Sequence, residues 1–557
     1  MHEPVLMPKR KTARTVGNGV MAYFLSESEM GQMTEQEQPN ENENFEIHDS
    51  PIGVNKIDAF RGEIADGKHQ ELATYMIKAL EKPAIHRRTF LRNALHTLSF
   101  GTLAPSVLTS ALMTACVQSE NAAETTTSSI KKISSSSTTT RSVIVIGAGI
   151  AGLSAASQLA QQGYAVTVLE SQSKVGGRLS TDRSLGIPFD QGASWIHRPN
   201  GNPITPLAAQ AGATTFLTDD HNVVVHDVNG AAYPDATLTS TEHTYNTVRD
   251  SIPGLGSLNQ SFAAVFNSNY PQYQNDRLWK YMLSAYLEFD VGGDVSKISS
   301  LYFEDDRQFS GDDVIVTNGY DTVANYLAKG LNLILNTQVA IIDYSGDQVT
   351  VATTGGQIYQ ADSVVVTVPL GVLKSNAITF IPALPSEKAA AIANMGMGNI
   401  NKFLLTWNAP FWDTSLQYIG YTPDSLGQFN YYLNINKYLA SANALMTFAF
   451  GDYATATEAM TDSEVINAIM ANLQTIYGSS IHFPTNMLRT AWGKNVNSFG
   501  AYSYAASGTT SADFDTLAEA INNKVFFAGE HTNRDYRGTV HGAYLSGTRE
   551  VAKIMAL

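Results

Sequence analysis

Residues 143–170 constrain the fold more than any other part of the chain. Val143-Ile144-Val145-Ile146 is an unbroken apolar run of strand length, the pattern of a strand buried on both faces of a parallel sheet. Gly147-Ala148-Gly149-Ile150-Ala151-Gly152 follows at once, then Leu153 to Gln162 has helical spacing that Gly163 ends. Ala165-Val166-Thr167-Val168-Leu169 repeats the strand pattern, with Glu170 at its end. The three glycines serve different ends. Gly147 permits the tight turn, Gly149 lets the backbone approach a pyrophosphate, and Gly152 lets helix and strand pack closely. Free N–H groups at the helix start, around Ile150 and Ala151, suit phosphate oxygens. A carboxylate at Glu170 accepts both hydroxyls of an adenosine ribose and repels a 2′-phosphate, which argues against NADP. A βαβ unit with glycines present only for packing is the alternative, and the strand–turn–helix context with a correctly placed acid weighs against it.

The chain has 557 residues, more than one hydrophobic core holds. Its net charge is -15. The part before Val117 holds 12 Lys/Arg and 14 Asp/Glu, which leaves 24 basic and 37 acidic residues in the remainder. The acidity therefore belongs to the folded region. It disfavours a nucleic-acid partner and would attract a small cation, while acidity for solubility alone explains it equally well. The single cysteine, Cys116, excludes an internal disulfide and a cysteine-rich metal site, and no metal site is expected. No stretch is a confident membrane-spanning helix.

Residues 1–85 read as a disordered or non-native extension, with the polar run Glu35 to Asn44. Residues 86–116 look like a twin-arginine export signal: His86-Arg87-Arg88-Thr89-Phe90-Leu91-Arg92, a moderately apolar stretch, then Leu112-Met113-Thr114-Ala115-Cys116 as an imperfect lipobox. This implies a protein exported to the periplasm or lipid-anchored at Cys116 in a bacterial envelope, with Met76 as the expected start. Residues 117–140 are a Ser/Thr-rich tether, about 25–30 Å long as a coil.

Ser173-Lys174-Val175-Gly176-Gly177-Arg178 resembles the second signature of the flavin amine oxidase family, closest to its polyamine and spermine oxidases. The match continues through Asp190-Gln191-Gly192-Ala193-Ser194-Trp195-Ile196-His197, through Val339, and through Val525 to Thr532 and Thr539 to Gly547. The resemblance covers nearly all of residues 141–557. It implies an α/β fold: a discontinuous Rossmann-like FAD-binding domain (141–200, 314–376 and 520–557) with an inserted mixed α+β substrate domain (201–313 and 377–519). It implies non-covalent FAD. Arg178 and Gly177 would lie at the pyrophosphate, Val339 at the adenine, Glu530 at the ribitol or phosphate part, and Gly192, Ala193, Ser194, Trp195 and Trp492 along the ring. The helix start at Thr539-Val540 would face the pyrimidine edge, where it stabilises negative charge.

By the same resemblance Lys402 would hold a water against flavin N5, Tyr502 and Thr539 would stand before the reactive face, and His197 would orient substrate. From spacing alone Lys402 would be a surface lysine and Tyr502 a core tyrosine. The implied reaction is oxidation of a cationic polyamine. Hydride passes to flavin N5, the imine hydrolyses, and O2 reoxidises the cofactor to give H2O2. Such a substrate requires carboxylates along its tunnel, for which Glu288 and Asp290 are candidates. An L-amino-acid oxidase, with Arg198 as the carboxylate grip, and a catalytically idle FAD-binding protein are the alternatives.

Overall fold

A computed structural model describes residues 140–557. The extension 1–85, the export signal 86–116 with Cys116, and the tether 117–140 except its last residue lie outside the described residues.

The chain enters through β1 (Ser142–Ile146), turns into α1 (Ile150–Gln161) and returns as β2 (Ala165–Leu169). Then come β3 (Trp195–Ile196), α2 (Ile204–Ala211), β4 (Thr215–Leu217) and β5 (Val223–His226). A mostly helical stretch, 235–291, leads to β6 (Val314–Val316), β7 (Leu333–Ile334), β8 (Val339–Asp343) and β9 (Ser363–Val366). β10 (Ile400–Thr406), β11 (Tyr418–Tyr421), β12 (Gln428–Asn434), β13 (Ala444–Phe450) and β14 (Asn486–Arg489) follow. The fold closes with β15 (Val525–Phe527) and α3 (Val540–Met555).

Two sheets position the site. The first is all parallel, in the order β15-β9-β1-β2-β7. Strand order runs outward in both directions from β1, so a switch point opens at the carboxyl ends of β1 and β9, where such sheets bind ligands. The second is mixed, in the order β14-β10-β13-β12-β11-β5, parallel only at β11/β5. This is the expected α/β nucleotide sheet with a mixed second sheet.

Strand alternation feeds two cores from one strand. Val143 and Val145 join α1 and α3 on one face, while Ile144 and Ile146 join Val364, Val366 and Phe527 on the other. Helices α1 and α3 cross closely because their contact residues are small: a Cβ on Gly547 would come within 2.3 Å of the Ala151 carbonyl oxygen. Ser154 Oγ also donates to the Tyr544 carbonyl across this crossing, at 2.9 Å.

Two expected boundaries shift. Helix α2 buries Ile204, Leu207 and Ala208 in the same core as Val143 and Leu153, and β4 pairs with β6. Residues 201–217 therefore pack with the nucleotide side. Ile378, Ile392 and Met395 share a core with Phe514, Leu517 and Ile144, so the ends of the 377–519 segment do the same. The apolar spacing shows which residues are buried but not against which sheet.

Candidate active site

One cavity of about 580 Å³ runs from the carboxyl ends of β1 and β2 to the face of the mixed sheet. Every cofactor and catalytic residue named from the sequence lines it except Gly152. Gly152 is a packing residue: its Cβ would stand 2.0 Å from the Gly147 carbonyl oxygen.

At one end, Gly147 has φ of 104° and its N–H donates to the Leu169 carbonyl at 2.8 Å. Gly149 starts α1, and a Cβ there would meet nothing within 4 Å. No side chain caps this helix start, so its first N–H groups face the cavity free for an anion. Gly177, at φ of 56°, lies against Gly149. These features fit a dinucleotide pyrophosphate. Glu170 lines the cavity as expected, yet it also props the turn: Oε2 accepts from the Ala148 N–H at 2.6 Å and Oε1 from the Gln172 N–H at 2.9 Å. Val339 lies at this end beside Thr337 and Gln338.

In the middle, Arg178 Nη1 donates to Glu530 Oε1 and to the Ala501 carbonyl, each at 2.8 Å. Glu530 Oε2 accepts from Ser503 Oγ at 2.5 Å and from the Gly538 N–H at 3.0 Å. Burial alone would raise the Glu530 carboxyl. Arg178, His531 and these hydrogen bonds outweigh it and hold the group below its usual range.

Lys402 is not the surface lysine that its spacing alone suggested: it lies inside β10, 6% exposed. Its ammonium donates to the Asp190 carbonyl at 3.0 Å, the Gly192 carbonyl at 2.5 Å and Ser194 Oγ at 2.7 Å. Burial pulls its pKa down to about 8, against the opposing pull of Asp190. The Trp492 indole donates to the carbonyl between them, Gln191, at 3.0 Å. Trp195 completes this wall, its ring 5.7 Å from the ammonium. The Tyr502 hydroxyl donates to the Phe289 carbonyl at 2.5 Å, which leaves its ring to the cavity. Thr539 is the N-cap of α3: its Oγ1 accepts from the Gly542 N–H at 2.9 Å and donates to the Tyr536 carbonyl at 2.8 Å. Its hydroxyl is thereby committed to the helix start.

His197 Nδ1 lies 2.5 Å from Asp313 Oδ2, and Asp313 Oδ1 accepts from the Arg198 N–H at 2.8 Å. The imidazole is half exposed, toward the cavity. Burial alone would lower its pKa, but Asp313, with Asp290 and Asp220 behind it, carries it above the ordinary histidine value. Of the two tunnel acids named from sequence, Asp290 lines the cavity and Glu288 does not. Glu288 is 1% exposed, accepts from Ser284 Oγ at 3.0 Å and the Val295 N–H at 3.3 Å, and is pushed by burial up to about 8. Sequence reasoning missed Asp220, Asp306, Asp313, Tyr286, Tyr418 and Tyr431, all on the cavity wall. The acidic balance of the folded region was their only signal.

A family model described as flavin containing amine oxidoreductase matches residues 150–555. Probable polyamine oxidase 4 of Arabidopsis thaliana is 33% identical over 429 residues, covering 73% of this chain and 85% of that protein. Lysine-specific histone demethylase 2 of Homo sapiens is 32% identical over 443 residues, covering 75% of this chain and 53% of that protein. The solved structure of wild-type putrescine oxidase bound to putrescine aligns with a TM-score of 0.63 at 20% identity, over 75% of this chain and 100% of that one. That last likeness shows the fold.

Proposed function

Since the chain belongs to the family of flavin containing amine oxidoreductases, with FAD as cofactor, we propose that it oxidises a polyamine at a carbon–nitrogen bond. The observation that carries this reading is the cavity wall beyond Lys402. Asp220, Asp290, Asp306 and Asp313 line it together with Tyr286, Tyr418 and Tyr431. Carboxylates attract ammonium groups, and tyrosine faces accept both methylene chains and cations.

FAD, when bound, supplies a hydride acceptor and delivers the two electrons to O2, giving H2O2. Gly147, Gly149, Gly177 and Arg178 would hold its pyrophosphate, Glu170 its ribose, and the 190–195 segment with Trp492 its ring. The protein's own part is positioning and charge. Lys402 keeps a cation beside the ring wall. The amine must be neutral to react, and His197 with Asp313 provides a group that takes up a proton at the cavity. The aromatic wall excludes water from the reacting carbon. The imine product then hydrolyses to an aldehyde and a shorter amine.

Arg198 also lines the cavity, where an amino-acid oxidase would want an arginine. Its charge is already met by Asp290 and Asp313, which would repel a substrate carboxylate. The deciding experiment mixes the holoprotein anaerobically with spermine, spermidine, their acetylated forms, putrescine, tyramine and L-amino acids, and follows the oxidised flavin band. Bleaching by polyamines alone, with peroxide on admitting air, is expected. Bleaching by L-amino acids alone would transfer the protein to that class, and bound flavin that no amine reduces would leave an idle FAD-binding protein.

A further inference from the structure

The side of β10 that faces away from the cavity carries a second polar cluster. Alternation along the strand sends the Lys402 ammonium toward the cavity wall and the neighbouring Asn401 side chain the other way. Asn401 is 0% exposed and makes every hydrogen bond its amide can make. Its Oδ1 accepts from the Trp492 N–H at 3.0 Å and from Thr490 Oγ1 at 3.1 Å. Its Nδ2 donates to the Ala454 carbonyl at 3.1 Å and to Glu458 Oε1 at 2.9 Å. The same Glu458 oxygen accepts from Asn399 Nδ2 at 2.9 Å and from the Gly493 N–H at 2.8 Å. Thr490 closes the circuit: its Oγ1 accepts from the Lys402 N–H at 2.9 Å, and its own N–H donates to the Lys402 carbonyl at 3.0 Å.

Both backbones that carry the ring wall are therefore tied to one buried amide and one carboxylate. In front of them, Lys402 and Trp492 hold three successive carbonyls, Asp190, Gln191 and Gly192. Neither Asn401 nor Glu458 lines the cavity. A purely apolar residue of the same size would fill the Asn401 space only by leaving its buried partners unpaired. What it could not do is fix the Trp492 N–H and the Thr490 hydroxyl at set positions.

We infer that Asn401 and Glu458 are positioning residues of the flavin site, holding Trp492 and Lys402 in register so that indole and ammonium together set the 190–192 segment against the cofactor. They touch neither cofactor nor substrate and act through those two side chains. The inference is independent of which amine is oxidised.

The test uses the FAD-loaded protein and reads the visible absorption bands of the bound flavin and its rate of release on dilution. Glu458→Ala and Asn401→Ala are each expected to shift the bands and to speed FAD release about tenfold, whereas Glu458→Gln, which keeps an acceptor at the same place, stays within about twofold of the parent. Trp492→Phe removes the indole donor and should shift the bands in the same sense. Adding Glu458→Ala to Trp492→Phe should then change little more, since both act through one contact. Unshifted bands and parental release in Glu458→Ala would overturn the inference, as would full additivity with Trp492→Phe. Should Asn401→Ala yield no folded protein, the Glu458→Ala and Glu458→Gln pair decides alone.

Discussion

Lys402 and Trp492, far apart in sequence, grip consecutive carbonyls of one short segment, the ammonium taking Asp190 and Gly192 and the indole taking Gln191 between them. The segment so held leads straight into Ser194 and Trp195 on the cavity wall. A loop that would otherwise follow its own turn preferences is thereby shaped by side chains from the opposite sheet.

The Lys402 charge should be visible in pH profiles. With its pKa drawn down to about 8 by burial, the ammonium is charged below that value and neutral above it. Rates of flavin reoxidation by O2 should fall as pH rises through 8, and Lys402→Met should lose this limb together with roughly 100-fold in rate. Between about 8 and the ordinary lysine value the unfolded chain binds the additional proton, so this group makes stability rise with pH across that window. Stopped-flow mixing and thermal melts at stepped pH check both.

The His197–Asp313 pair gives the opposite sign. A histidine whose folded pKa is raised contributes stability in full below its unfolded value of 6.5, and loses it as pH climbs through the folded one. Asp313→Asn removes the leading attraction and should move the His197 titration to lower pH. The acid-side limb of kcat/KM, which a proton-accepting His197 sets, should move with it. Imidazole NMR signals of the parent and the variant report this directly, and coincident titration curves would refute the assignment.

Gly149 and Gly152 predict contrasting failures. Gly149→Ala adds a methyl that meets no protein atom, at a φ of -75° that alanine accepts. The apoprotein should melt like the parent, while FAD affinity drops about tenfold or more as the methyl enters the pyrophosphate cradle. Gly152→Ala drives a methyl into the Gly147 carbonyl and should lower the melting temperature of the apoprotein itself. Calorimetry with and without FAD separates the two.

The two acids named from sequence should also part company. Asp290→Asn should raise KM for a triamine about tenfold with little change in kcat, and leave a monoamine unaffected. Glu288→Gln should leave KM alone. Glu288 titrates near 8, above the ordinary glutamate value, so the folded protein holds a proton that the unfolded chain has shed and stability declines as pH approaches 8. Glu288→Gln should therefore outmelt the parent at pH 8 and above.

The contrast between these acids shows how far residue spacing reaches. Glu288 and Asp290 lie two apart, and only the local helical geometry decides which one meets the cavity. The glycine turn was legible because each of its residues answers a local backbone demand. Lys402 was legible only through resemblance, since its three oxygen partners come from residues 190–194. Asn401 was illegible for a related reason: a buried asparagine has meaning only through Trp492, Thr490 and Glu458, which the sheet and the helix after β13 bring to it. Asp220 and Asp313 sit on loops whose convergence is set by the pairing of β3, β4 and β6, a matter of three short strands with little pattern of their own.

The way α3 crosses α1 has a consequence for biosynthesis. The glycine turn leads into the first described helix, yet its cover, with Gly547 seated on Ala151 and Thr539-Val540 on the cavity wall, arrives with the last. Until α3 is made, a nascent chain carries the glycine turn without the helix that packs over α1. FAD capture is therefore expected only once α3 has been made and has docked on α1. Cofactor supply during maturation then governs how much enzyme forms, in the same way that a late-docking helix governs when a newly made domain first resists protease.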